Sequence, residues 1–125
     1  MPEAARQTLD DALAENPDSP DLKLLNAALH AVEGDRQESE AIYRDLIESY
    51  PQEELPARLL VNMLASEGRI EESRAALSTA LKAQPNSPNL LWMQASYFEQ
   101  DGNFEEAITL YEKLYELNSN SPVVA

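Results

Sequence analysis

The chain has only three glycines, Gly34, Gly68 and Gly102, and each follows the last by 34 residues. Pro17, Pro51 and Pro85 keep the same interval, and Ser119 holds the next slot. A fixed period of this length means one supersecondary unit used repeatedly. Such a chain works through an extended surface, so a single catalytic pocket is not the default expectation.

Each unit divides around its glycine. In the middle one, Leu55, Leu59, Leu60, Met63 and Leu64 recur at helical spacing, Gly68 follows, and Leu77, Ala80 and Leu81 recur in the same way. The pattern predicts helix, tight turn, helix. Glycine suits the left-handed residue that closes a helix. Glu71-Glu72 and Glu105-Glu106 fall where the second helix should begin, the favourable end of its dipole for negative charge. Asp35 and Asn103 read as N-caps with a Glu three residues on, whereas Arg69 in the same slot cannot cap. Between units, Ser19-Pro20, Ser87-Pro88 and Ser121-Pro122 are in phase, a capping residue followed by proline at the first helical position. The middle unit has Glu53-Glu54 there and Pro56 slightly inside, so its opening turn should differ.

Superposing the units at the 34-residue offset gives apolar columns: Leu25 with Leu59 and Met93, Leu29 with Met63 and Tyr97, Tyr43 with Leu77 and Tyr111, Ile47 with Leu81 and Tyr115. Small residues align too, Ala27 with Val61 and Ala95, and Ser39 with Ser73 and Ala107. One small residue from each helix at the crossing lets an antiparallel pair approach closely.

With these features the chain resembles the tetratricopeptide repeat family. The 34-residue length, central glycine, small crossing residues, Tyr43 and Tyr111, and the terminal proline all match, and Gly102 to Ile108 is the closest local stretch. The likeness covers essentially the whole sequence. It departs where an early aromatic is replaced by Lys23, Ala57 and Leu91, and where a usual leucine is Asn26 or Gln94. The resemblance implies an all-α fold, a right-handed α-solenoid of antiparallel helix pairs. Residues 3–16 read as the second helix of a truncated repeat, 18–51, 52–85 and 86–119 as three repeats, and 120–125 as the start of another. The expectation is a segment of a longer repeat protein.

Composition narrows the function. With 23 acidic and 9 basic residues the net charge is −14, which repels phosphate backbones and anionic membrane surfaces and argues against a nucleic-acid partner. No apolar run approaches the ~20 residues of a membrane span. There is no cysteine, hence no disulfide or thiolate metal site. The lone histidine, His30, shares a column with Leu64 and Phe98 and reads as packing. Asp101-Gly102-Asn103 lacks the alternating ligands and terminal Glu of a calcium loop, and isolated glycines make no phosphate loop. No catalytic residue, cofactor or metal is therefore expected, and the chain reads as non-enzymatic.

The family's first helices line a concave groove. Carrying that over places Leu24, Arg58 and Trp92 in one groove column, Ala28, Asn62 and Ser96 in a second, and Ala31, Ala65 and Glu99 in a third. Leu24, Arg58, Asn62, Trp92, Ser96 and Glu99 are the candidate partner-binding residues. Trp92, the only tryptophan, is either a groove anchor or a residue packed in the core or against the adjacent unit. The carboxylate clamp of some members is absent, because most of its slots hold Leu24, Ala28, Leu59, Asn89 and Met93. The leading expectation is a scaffold that binds a protein partner, as a peptide or helix, in the groove. The alternatives are a structural module that packs end to end, with weak self-association opposed by its charge, or the recognition arm of a larger multidomain enzyme.

Overall fold

The computed structural model describes residues 2–119, which form seven helices and, among the described residues, no strand. They are α1 (Pro2–Glu15), α2 (Pro20–Val32), α3 (Arg36–Ser49), α4 (Glu54–Ser66), α5 (Ile70–Ala83), α6 (Pro88–Gln100) and α7 (Phe104–Ser119). The expected Ser121-Pro122 turn and further repeat at 120–125 lie outside the described residues. The chain divides into two compact units, Met1–Pro56 and Ala57–Ala125, with the boundary in the first turn of α4.

In unit 1, α2 and α3 form a helical hairpin and α1 packs on α2. In unit 2, α6 and α7 form the equivalent hairpin, and α5 packs on α6. All six small residues aligned in the sequence are buried: Ala27, Ser39, Val61, Ser73, Ala95 and Ala107. Around them Leu46, Leu60, Leu64, Leu77 and Leu90 are almost fully removed from water. The apolar columns are less uniform than the pattern implies, since Leu25 and Tyr115 are 56% and 74% exposed.

The glycines have positive φ, +89°, +79° and +78° for Gly34, Gly68 and Gly102. At each, the glycine N–H bonds the carbonyl three residues back and the next N–H bonds the carbonyl five residues back, as in Asp35 N–H to His30 O at 2.8 Å. This is the Schellman closure, which satisfies carbonyls that a helix end leaves open. The following residue then also opens the next helix: Ser39, Ser73 and Ala107 donate their N–H groups to the carbonyls of Asp35, Arg69 and Asn103.

This double duty corrects the expected cap at Asp35. Its backbone sits at φ −94°, ψ 64°, almost the geometry of Arg69, and its side chain makes no capping bond. The carboxylate instead lies 3.5 Å from His30 Nδ1. Ser19 and Ser87, free of that constraint, are extended (ψ 116° and 115°) and accept from the N–H groups of Leu22 and Leu90. The turn before α4 keeps the bond of its counterparts, Glu53 N–H to Tyr50 O matching Ser19 to Asn16 and Ser87 to Gln84. Pro56 falls in the first turn of α4, where its missing N–H has no intrahelical partner to lose.

Candidate functional site

Ser87 and Pro88 fix where α6 starts and therefore its phase. One turn apart, Trp92 and Ser96 share a face, and Gln100 continues it. On α4, Asn62 and Ala65 share a face in the same way. In unit 2 these faces border an open hollow of about 290 Å³, lined by Asn62, Ala65, Trp92, Met93, Ser96 and Gln100. Ile70 and Tyr97 complete its lining. The wall is mainly apolar with two amides and the hydroxyls of Ser96 and Tyr97, and no charged side chain lines it. A few polar groups on an apolar wall can orient a ligand without the desolvation cost of a buried charge.

The floor is held by a buried hydrogen-bond chain. Ser73 Oγ donates to the Val61 carbonyl at 3.0 Å, so the Tyr97 hydroxyl, 2.5 Å away, donates to Ser73 Oγ. Tyr97 is only 9% exposed, and the Arg74 guanidinium covers its ring at 4.6 Å from the centroid. Arg74 in turn forms a two-bond fork with Asp101, at 2.5 and 2.8 Å. Hydrogen bonding to Asp101 raises the Arg74 pKa above its ordinary value. The fork ties α5 to the end of α6.

At the mouth, Trp92 is 56% exposed, which settles it outside the core. Its ring meets Tyr111 of α7 edge to face, with centroids 5.2 Å apart. The Tyr111 hydroxyl donates to the Glu99 carboxylate. That bond, with burial adding to it, holds the phenol pKa above the usual tyrosine value, while the Ser96 hydroxyl works against the rise. Trp92 is thus braced from one side by a tyrosine that is itself anchored.

Of the six candidates from sequence, the hollow brings together Asn62, Trp92 and Ser96. Glu99 is exposed on α6 and bound by Tyr111, and Arg58 is half-buried on α4 outside the lining. Leu24 is half-buried on α2 in unit 1. Sequence reasoning missed Met93, Tyr97, Gln100 and Ile70 as lining and Tyr111 as a brace. Met93, Tyr97 and Tyr111 were visible only as members of packing columns. His30 is half-buried near Glu33 and Asp35. Among the described residues, no three His, Asp or Glu side chains cluster to hold a metal, and no helix is long and apolar enough to cross a membrane.

Two family models, each described as tetratricopeptide repeat, match the chain, one over residues 59–122 and the other over 1–62. No curated protein matches it. Solved structures with a similar fold include MamA AMB-1, at 23% identity and TM-score 0.63, covering 94% of this chain and 64% of that one. MamA MSR-1 aligns at 21% identity and TM-score 0.65, over 94% and 68% of the two chains. MamA from Desulfovibrio magneticus RS-1 aligns at 16% identity and TM-score 0.64, over 96% and 68%. At these identities the likeness is one of fold, and the chain spans about two thirds of the length of those structures.

Proposed function

Matched over half its length by a model of the family, the chain belongs to the tetratricopeptide repeat proteins, and we propose from that premise that its hollow beside Trp92 seats a peptide or helix of a protein partner. The fold is an all-α helical-repeat solenoid, and the family supports a protein-interaction scaffold. The reading is non-enzymatic, with the repeats taken as 18–51, 52–85 and 86–119. The observation that carries it is Trp92, more than half exposed at the mouth of an apolar hollow and braced by Tyr111. A rigid aromatic loses little conformational freedom on binding and offers a large contact area, the property of hot-spot anchors. Asn62, Ser96 and Gln100 would bond the backbone of the ligand, with Arg58 and Glu99 flanking and Leu24 the corresponding position of unit 1.

The sole tryptophan is its own reporter. Peptides selected from a random display library against the full chain should shift its fluorescence on binding. Trp92→Ala should weaken them by ~2 kcal/mol or more if Trp92 is a hot spot. Selected peptides that leave the emission unchanged and bind the folded Trp92→Ala protein equally well would remove this hollow from the function.

A second reading, end-to-end self-assembly, rests on α7. Ile108 and Tyr115 are 55% and 74% exposed and border a shallow hollow with Tyr111, Glu112 and Glu116. The charge of −14 opposes contact between copies, so association should be weak and should strengthen with salt. Sedimentation of a strict monomer at high protein and salt concentration would exclude it.

A further inference from the structure

Each of the three glycine turns is entered by a carboxylate: Glu33 before Gly34, Glu67 before Gly68 and Asp101 before Gly102. Each carboxylate is held by an arginine, Glu33 by Arg6, Glu67 by Arg69 and Asp101 by Arg74. The third turn differs from the others by a single methylene, and that difference changes its covalent chemistry.

An aspartate followed by glycine can close on itself. The glycine nitrogen attacks the side-chain carboxyl carbon, a carboxyl oxygen leaves as water, and a five-membered succinimide forms. Glycine favours the attack because it has no Cβ to crowd the approach. Water then opens the ring at either carbonyl. Opening at the former main-chain carbonyl gives isoaspartate, in which the chain runs through the old side chain and is one methylene longer. One water is lost and one regained, so the mass is unchanged. Glutamate would need a six-membered ring, with one more rotatable bond to freeze, and closes far less readily. With its three glycines, the chain has a single Asp-Gly pair, Asp101-Gly102.

The fold holds both reacting groups apart. Arg74 Nη1 and Nη2 bond the two Asp101 oxygens at 2.5 and 2.8 Å, and one of those oxygens is the leaving group. The Gly102 N–H bonds the Glu99 carbonyl at 3.0 Å, inside the closure completed by Asn103 N–H to Phe98 O at 2.8 Å. Asp101 keeps helical backbone angles, φ −83° and ψ −6°. Its side chain is 40% exposed, so water reaches it and burial gives no protection. The turn closure recurs at all three glycines, but only here does the arginine hold a group that can react. Arg74 is itself fixed against the Tyr97 ring.

We propose that Asp101 is a latent isoaspartate site and that Arg74 is the residue that keeps it closed. Isomerisation would place the carboxylate out of reach of the fork and lengthen the main chain inside the Gly102 turn. It would therefore release α5 from the end of α6, below the Trp92 hollow. The site does not depend on what the hollow binds.

The test ages the wild-type chain and Arg74→Gln side by side, in buffer and in concentrated urea. Isoaspartate at residue 101 is read by peptide mapping, where the isomer elutes apart at unchanged mass. In buffer, Arg74→Gln should accumulate it at least about tenfold faster than the wild type, equivalent to ~1.4 kcal/mol of lost restraint. In urea the fork is gone from both, and the two rates should match. Gly68→Ala strains a turn outside the fork and controls for general loss of stability; it should age more slowly than Arg74→Gln. If Arg74→Gln loses its helical circular dichroism, Arg74→Lys, which keeps the cation without the fork, takes its place and should also outpace the wild type. Equal rates for the wild type and the Arg74 variants in buffer would overturn the proposal. So would a wild type that ages as fast in buffer as in urea, or a Gly68→Ala chain that ages as fast as Arg74→Gln.

Discussion

Two serines 34 residues apart provide a matched pair for testing the buried polar chain under the hollow. Ser73 and Ser39 are both 0% exposed and occupy the same place in the repeat. Ser73 Oγ is used twice, as donor to the Val61 carbonyl and acceptor from Tyr97. Ser39 Oγ makes no hydrogen bond. The Tyr43 hydroxyl comes near enough to feel it, burial raising that phenol's pKa and Ser39 working against the rise, but short of bonding geometry. Ser73→Ala strands the nearly buried Tyr97 hydroxyl and should cost ~1–3 kcal/mol. Ser39→Ala deletes a hydroxyl whose burial is uncompensated, so it should be neutral or stabilise by up to ~1 kcal/mol. Tyr97→Phe leaves Ser73 its bond to Val61 and should cost ~0.5–1.5 kcal/mol, and combining it with Ser73→Ala should cost less than the sum. Urea unfolding followed by helical circular dichroism reads these differences, provided the slope with denaturant stays constant. Amide exchange in α5 and α6 against α3 localises them, since neighbouring repeats need not open together. Equal losses for Ser73→Ala and Ser39→Ala would refute the assigned chain of bonds.

Ala107→Leu should destabilise by ~1–3 kcal/mol, because Ala107 is 2% exposed at the crossing of α6 and α7, while Ala83→Leu, half-buried at the end of α5, should cost less; thermal melts compare them. Gly68→Ala should cost ~1–2 kcal/mol from backbone strain alone, because φ is +79° and an added Cβ meets nothing within 4 Å; Gly68→Asn should cost less, as unfolding in urea would show. The Glu33 carboxyl is held below the ordinary glutamate range chiefly by its hydrogen bond from Arg6. Its folded pKa is depressed, so the stability it contributes is present above the unfolded value and is lost as pH falls through the folded one. An NMR titration should show the Glu33 pKa rising toward the unperturbed value in Arg6→Gln.

The helices were legible in the sequence because glycine, proline and alanine positions mark events with one cause each. Gly34, Gly68 and Gly102 mark left-handed closures, Ser19 and Ser87 mark caps, and the small residues mark crossings. Asp35 was misread because capping was judged from side-chain type, whereas the preceding closure sets its backbone. The hollow was half legible. Groove positions on the first helices gave Asn62, Trp92 and Ser96, but a periodic pattern cannot tell a column residue that is buried from one that borders an opening. Met93 and Tyr97 fall in that gap, and so does Tyr111, whose role depends on the Glu99 carboxylate twelve residues away.

The shared use of Asp35, Arg69 and Asn103 leaves no spare residue in any glycine turn: the one that ends a helix begins the next. An inserted residue there would separate the closure of one helix from the first bond of the next, so the following helix would leave in a different direction. In the Gly68 turn it would carry Ser73 away from Val61, while Arg74 and Asp101, both downstream of the turn, would keep their fork. Copying a whole 34-residue interval leaves every glycine turn intact, and insertions of other lengths should collect away from those turns. Length in this architecture is quantised, and the quantum is set by a turn with no slack.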